Sequence, residues 1–98
     1  MGNTKKTSSS LSEAKKLTKK ISISMAKMVD DLTKLRKATE VIKTNLDATG
    51  DEKATDTMYN FYNEVAGLES DIADSHYSFK EWYEYLGGTD VIPDPIDG

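Results

Sequence analysis

Ninety-eight residues, 37% of them hydrophobic and 31% charged with a net charge of −4, make one domain and leave no room for a second. The balance is too apolar for outright disorder and too thin for a thick core, so a partner covering one face is expected on energetic grounds. Without cysteine, disulfides and Cys-ligated metals are excluded, and no apolar run nears the roughly 18 residues needed to cross a bilayer.

The charge is divided unevenly. Residues 1–50 carry eleven Lys and Arg against five Asp and Glu, whereas residues 51–98 carry two Lys against twelve acidic residues. The basic charges are spread along a periodic segment rather than gathered in a patch. The split therefore reads as two oppositely charged helices lying side by side, and not as a nucleic-acid arm.

The first nine residues read as a flexible arm. Lys5 and Lys6 have no apolar stretch behind them, so no Sec-type signal peptide is visible, and export would take another route. Ser10 with Glu13 has capping-box spacing and predicts a helix over 10–47. Alternating steps of three and four from Leu11 give Leu11, Ala14, Thr18, Ile21, Met25, Met28, Leu32, Leu35, Thr39, Ile42 and Leu46. All but the two Thr are apolar. An a/d seam held over five heptads is helical, since strands repeat every two residues.

Residues 48–51 carry the turn chemistry, with Gly50 at its centre. A second helix follows over 52–86, with Asp51 and Glu52 placed to favour its positive N-terminal end. Its seam reads Ala54, Met58, Phe61, Val65, Leu68, Ile72, Ser75, Phe79, Trp82 and Leu86, and Gly87 and Gly88 end it. So short a turn between helices roughly 50–60 Å long forces an antiparallel hairpin. The fold class is all-α, a coiled-coil-like two-helix hairpin over 10–87. Residues 88–98, acidic and holding Pro93 and Pro95, are expected to be a disordered tail.

A second stripe flanks the seam of helix two: Tyr59, Tyr62, Ala66, Ala73, His76 and Tyr83. Tyr suits interfaces because it joins a large flat surface to a water-tolerant hydroxyl. With Leu17, Ile23, Val29 and Val41 of helix one, these residues are expected to form a partner interface. They would complete a four-helix bundle with a partner hairpin or a second copy. Gly67 inside helix two is either drift on an exposed face or a point where a partner helix comes close.

Chemistry finds no foothold in the sequence. His76 is the one histidine and lacks companions at metal-ligand spacing, so it reads as an exposed or interfacial imidazole. No phosphate-cradling glycine motif or nucleophile elbow occurs, and Asp90, Asp94 and Asp97 do not fit calcium-loop spacing. The expectation is a non-enzymatic chain with no catalytic residues, cofactor or metal, and without membrane insertion.

A hairpin of this size resembles the WxG family of type VII secretion substrates and their partners. Gly50 stands where that family has the Gly of its turn Trp-x-Gly, although the turn here reads Ala48-Thr49-Gly50. Tyr77-Ser78-Phe79-Lys80-Glu81 fits the family's Tyr-x-x-x-Asp/Glu export motif. Without the turn Trp, the chain is most similar to divergent members, small helical partners of larger secreted toxins. The resemblance implies a targeting or chaperone adaptor that binds the helical region of an effector. It would have a cytoplasmic pool and leave the cell with its client, with Tyr77 and Glu81 carrying the export signal. The alternatives are a small acidic inhibitor or immunity protein, and a coiled-coil subunit that only self-associates.

Overall fold

The structure, a computed structural model, describes the backbone of residues 2–96 and the side chains from Ser9 to Ile96. Two antiparallel helices, α1 (Gly2–Asp47) and α2 (Glu52–Tyr85), form the hairpin, and no strand occurs among the described residues.

Helix α1 starts eight residues earlier than the capping-box spacing suggests. Nothing between Gly2 and Ser10 breaks a helix, so Ser10 and Glu13 lie inside it and the expected arm over residues 1–9 is helical from Gly2 onward. At about 1.5 Å per residue its 46 residues span close to 70 Å, the long dimension of the molecule. The 34-residue α2 is shorter, so the N-terminal part of α1 projects past it.

The turn is built as its residues demand. The N–H groups of Thr49 and Gly50 donate to Leu46 and Asp47 carbonyls, and Gly50 takes a φ of 75°, a conformation glycine adopts without steric cost. The Asp51 carboxylate then accepts from the Ala54 N–H at 3.1 Å and caps α2. At the far end Gly87, with φ 90°, and Gly88 donate to the carbonyls of Glu84 and Tyr83, a Schellman closure.

The molecule is a slab 70 × 23 × 13 Å, one helix thick. Its radius of gyration is 19.4 Å, against about 13 Å for a compact chain of this length. It exposes 7048 Å², where a compact monomer of 10.9 kDa would expose about 5,600 Å². The interior is thin and half polar: Ala26, Val29, Val65, Tyr83 and Ile92 are buried alongside Thr18, Ser22, Thr33, Thr39 and His76.

The helices meet on a face turned by one residue from the most apolar one. On α1 the inward column is Ser22, Val29 and Arg36, bordered by Thr18, Met25, Leu32 and Thr39 on one side and Ala26 and Thr33 on the other. On α2 it is Tyr62, Glu69, His76 and Tyr83, bordered by Val65, Ile72 and Phe79 and by Ala66 and Ala73. Half of each predicted seam, the heptad positions Thr18 to Leu46 and Met58 to Leu86, lies at this border. The other half points outward. Small side chains at Ser22, Ala26, Ala66 and Ala73 let the backbones approach, and the larger Leu, Ile and Phe positions next to them do not.

Residues 87–96 are not a loose tail. They fold back over one broad side of the slab, with Ile92 buried, Asp90 bonded to Lys19 and Asp94 bonded to Lys80. Two prolines stop a helix without preventing a packed extended segment. Asp97 and Gly98 lie outside the described residues.

Candidate partner-binding surface

The inner face is pinned at two polar levels. The Arg36 Nε–H donates to both carboxylate oxygens of Glu69 at 3.1 Å, with both side chains part-buried. This bond to Glu69 holds the Arg36 guanidinium even more firmly protonated than usual. Two turns further along α2, His76 is fully enclosed. Its Nδ1 lies 2.8 Å from the Ser22 carbonyl oxygen, and its Nε2 lies 3.2 Å from Asp94 Oδ1. The expectation of an exposed or partner-facing imidazole is corrected here: the ring fills the space between α1, α2 and the C-terminal segment.

That segment is fastened around the same ring. Lys80 Nζ donates to Asp94 at 2.9 Å and Lys19 Nζ to Asp90 at 2.8 Å. Both carboxyls are thereby held below the ordinary Asp range, chiefly by those lysine bonds. The Asp90 N–H donates to the Tyr83 hydroxyl at 3.2 Å. Gly88 lies so close to the Tyr83 ring that any side chain there would collide with it.

Of the six residues expected to meet a partner, His76 and Tyr83 are buried within the chain, and Tyr62, Ala66 and Ala73 are half-buried in the same interhelical face. Tyr59 alone is widely exposed, and Lys43 lies over its ring and that of Tyr62 at 4.8 and 5.0 Å. The stripe read as intermolecular is largely intramolecular.

The outward half of the predicted seam takes its place. Ile21, Met28, Leu35 and Ile42 on α1, and Phe61, Leu68 and Trp82 on α2, are each 42–53% exposed. Each immediately precedes a residue of the inward column or, for Ile42, its continuation at Lys43. In antiparallel neighbours that offset lies to the same side, so both rows share one broad face of the hairpin. The Ser22–His76 and Arg36–Glu69 contacts fix the antiparallel alignment of the two rows, with Ile42 toward the Phe61 end and Ile21 toward the Trp82 end. At the end of this ladder Trp82 stacks on Tyr85 at 5.2 Å, and both rings are open to solvent.

Lys19 and Lys80, which hold the C-terminal segment, stand on the opposite offset. The chain's own C-terminal segment covers that side around His76 and Tyr83, and the apolar face is bare.

No family model, curated protein or solved structure matches this chain.

Tyr77 and Glu81 are exposed on α2 one turn apart; Tyr77 stands away from the apolar ladder, whereas Glu81 lines a groove with Trp82 and Tyr85 at the ladder's end. The Tyr77 ring meets His76 edge-on at 5.1 Å, and Lys80 between them is bonded to Asp94. Among the described residues no group of His, Asp and Glu could hold a metal ion, and no helix is long and apolar enough to cross a membrane.

Proposed function

We propose that the chain is a helical adaptor that binds the helical region of a larger secreted effector and is exported with it by a type VII secretion system. The observation that carries this reading is the bare apolar ladder running the length of the hairpin. Each position left half exposed forfeits a share of the roughly 1.5–3 kcal/mol that full burial of a large apolar side chain contributes. A face of seven such positions is a binding surface in want of cover. An amphipathic pair of helices laid along it would complete a four-helix bundle.

The place of Tyr77 and Glu81 is compatible with this use. Tyr77 stands off the ladder, so a client docked there leaves it accessible to a second reader, while Glu81 lies beside the Trp82–Tyr85 end. The test is co-expression with neighbouring reading frames that encode long helical N-termini, followed by an export assay. Tyr77→Ala and Glu81→Gln are expected to abolish export while client binding and helicity persist. Undiminished export removes the role given to that pair.

A second reading, an acidic inhibitor or immunity protein, draws on the exposed carboxylates Glu64, Asp71, Asp74 and Glu81 along the outside of α2. An inhibitor would hold the active domain of a toxin and stay behind. The adaptor would hold the helical region and leave the cell.

A further inference from the structure

The residues bordering the ladder indicate what kind of helix pair fits it. Rim positions lie within one helical turn of a ladder residue, on the side away from the facing helix. On α1 they include Ser24, Asp31 and Ala38, and on α2 they include Glu64, Asp71 and Ser78. Every charge among these rim residues is a carboxylate, and all three charged side chains are exposed. The lysines at 20, 27 and 34 sit a further step around α1, on its back. We infer that the occupant of the apolar face is a pair of amphipathic helices whose own apolar stripe is edged by Lys or Arg, and not a second copy of this chain.

A second copy fits poorly in either two-fold arrangement. With α1 stacked on α2 of the other copy, the register brings Asp31 beside Asp71 of that copy at both edges. With α2 stacked on α2, Glu64 and Asp71 of both copies crowd one rim. Like charges facing each other select against a partner, and opposite charges select for one. The area agrees with a binding event of ordinary size. The surface exposed beyond that of a compact monomer is roughly 1,500 Å², comfortably more than the approximately 800 Å² that one side of a standard interface covers. At the end of the ladder the Trp82–Tyr85 stack supplies the large, flat aromatic anchor on which such interfaces concentrate their energy.

This inference rests on reading the chain as a helix-binding adaptor, but not on its export. It is tested with two synthetic helical hairpins that share one Leu/Ile heptad stripe, one edged with Lys and the other with Glu. Each is titrated against the full chain while the fluorescence of Trp82, the one tryptophan, is followed. The Lys-edged hairpin should bind about tenfold more tightly at low salt, three rim pairs each contributing modestly. The preference should vanish near 1 M salt, where screening reaches down to about 3 Å.

Reversing the rim by Asp31→Lys, Glu64→Lys and Asp71→Lys, all at exposed positions, should switch the preference to the Glu-edged hairpin. Equal affinities, a preference for the Glu edge, failure of both probes to bind, or a stable homodimer that shields Trp82 would each overturn the inference. A natural client with acid-edged helices would overturn it and leave the adaptor reading intact. Binding of the Lys-edged probe without export would defeat the export reading alone.

Discussion

His76 Nε2 lies 3.2 Å from Asp94 Oδ1, and this contact fastens the C-terminal segment to a ring enclosed between two helices. On its other side the ring meets the Ser22 carbonyl oxygen at 2.8 Å. Both ring nitrogens thus stand within hydrogen-bond distance of oxygen atoms, and the Ser22 hydroxyl lies 3.2 Å from Nδ1 as well. The same carboxylate oxygen of Asp94 accepts from Lys80, so two donors and one acceptor close the latch.

The latch opens in acid. The Asp94 carboxyl is lowered from its ordinary 3.8, first by Lys80 and then by His76, and Asp90 is lowered by Lys19. A lowered carboxyl stabilises the fold above its unfolded pKa, and that contribution disappears as pH falls through the still lower folded value. Docking of residues 87–96 is therefore expected to be complete at pH 5 and to fail below pH 3.8. Methyl NMR of Ile92 reports it directly. In Asp94→Asn the acid step at this site should be absent; a step of unchanged size there would show that the latch is not what titrates. At the alkaline end Lys19, raised by its bond to Asp90, releases its share only above its ordinary 10.5.

The Thr33 hydroxyl is buried without a hydrogen-bond partner, whereas Thr39 bonds back to the Leu35 carbonyl at 2.7 Å. An unpartnered buried hydroxyl costs about 1 kcal/mol or more. Thr33→Val keeps the shape and removes that cost. It should raise the melting temperature by several degrees, since about 1 kcal/mol moves a domain of this size by roughly 4–8 °C. Thr39→Val, which deletes a made bond, should not. Thermal melts of the pair decide it, and equal shifts would mean that Thr33 finds water.

Two glycines are expected to respond with opposite signs. A Cβ at Gly67 meets open space, so Gly67→Ala should stabilise α2 by about 1 kcal/mol through helix propensity. Gly67 stands on the back of α2, away from the ladder, so the change should leave partner binding untouched. A Cβ at Gly88 would collide with the carbons of the Tyr83 ring. Gly88→Ala should displace that ring or lift the segment that follows, seen as loss of the Asp90 N–H bond to the Tyr83 hydroxyl in amide exchange.

The features read correctly from the sequence are those set by neighbours along the chain. Gly50, the acidic start of α2 at Asp51 and Glu52, and the Gly87–Gly88 stop depend on residues within a few positions, and the heptads depend on the residues three and four away. Which of two adjacent columns turns inward depends on the facing helix. Both columns satisfy the same periodicity, and the choice falls to small residues such as Ser22 and Ala73 and to a histidine. Lys19 and Asp90 lie 71 residues apart, and no local pattern announces that one will hold the other. A signal for the docked tail did exist in Ile92, a large apolar residue in a segment otherwise read as solvated.

The rotated face can be tested with two substitutions three residues apart. Val65 is almost completely buried between the helices, while Leu68 is 44% exposed on the ladder. A seam that used both equally would lose more from truncating the larger Leu. In the observed packing Val65→Ala empties space inside the interface and should cost about 2 kcal/mol. Leu68→Ala strips a side chain that already meets water and should cost well under 1 kcal/mol. With a helical partner bound the order should invert, because the partner buries Leu68 and leaves Val65 as it was. Urea titrations of the free chain, and binding titrations of the same two variants, give the four numbers needed. A larger loss of stability for Leu68→Ala in the free chain would return the seam to its most apolar column and leave no bare face to explain.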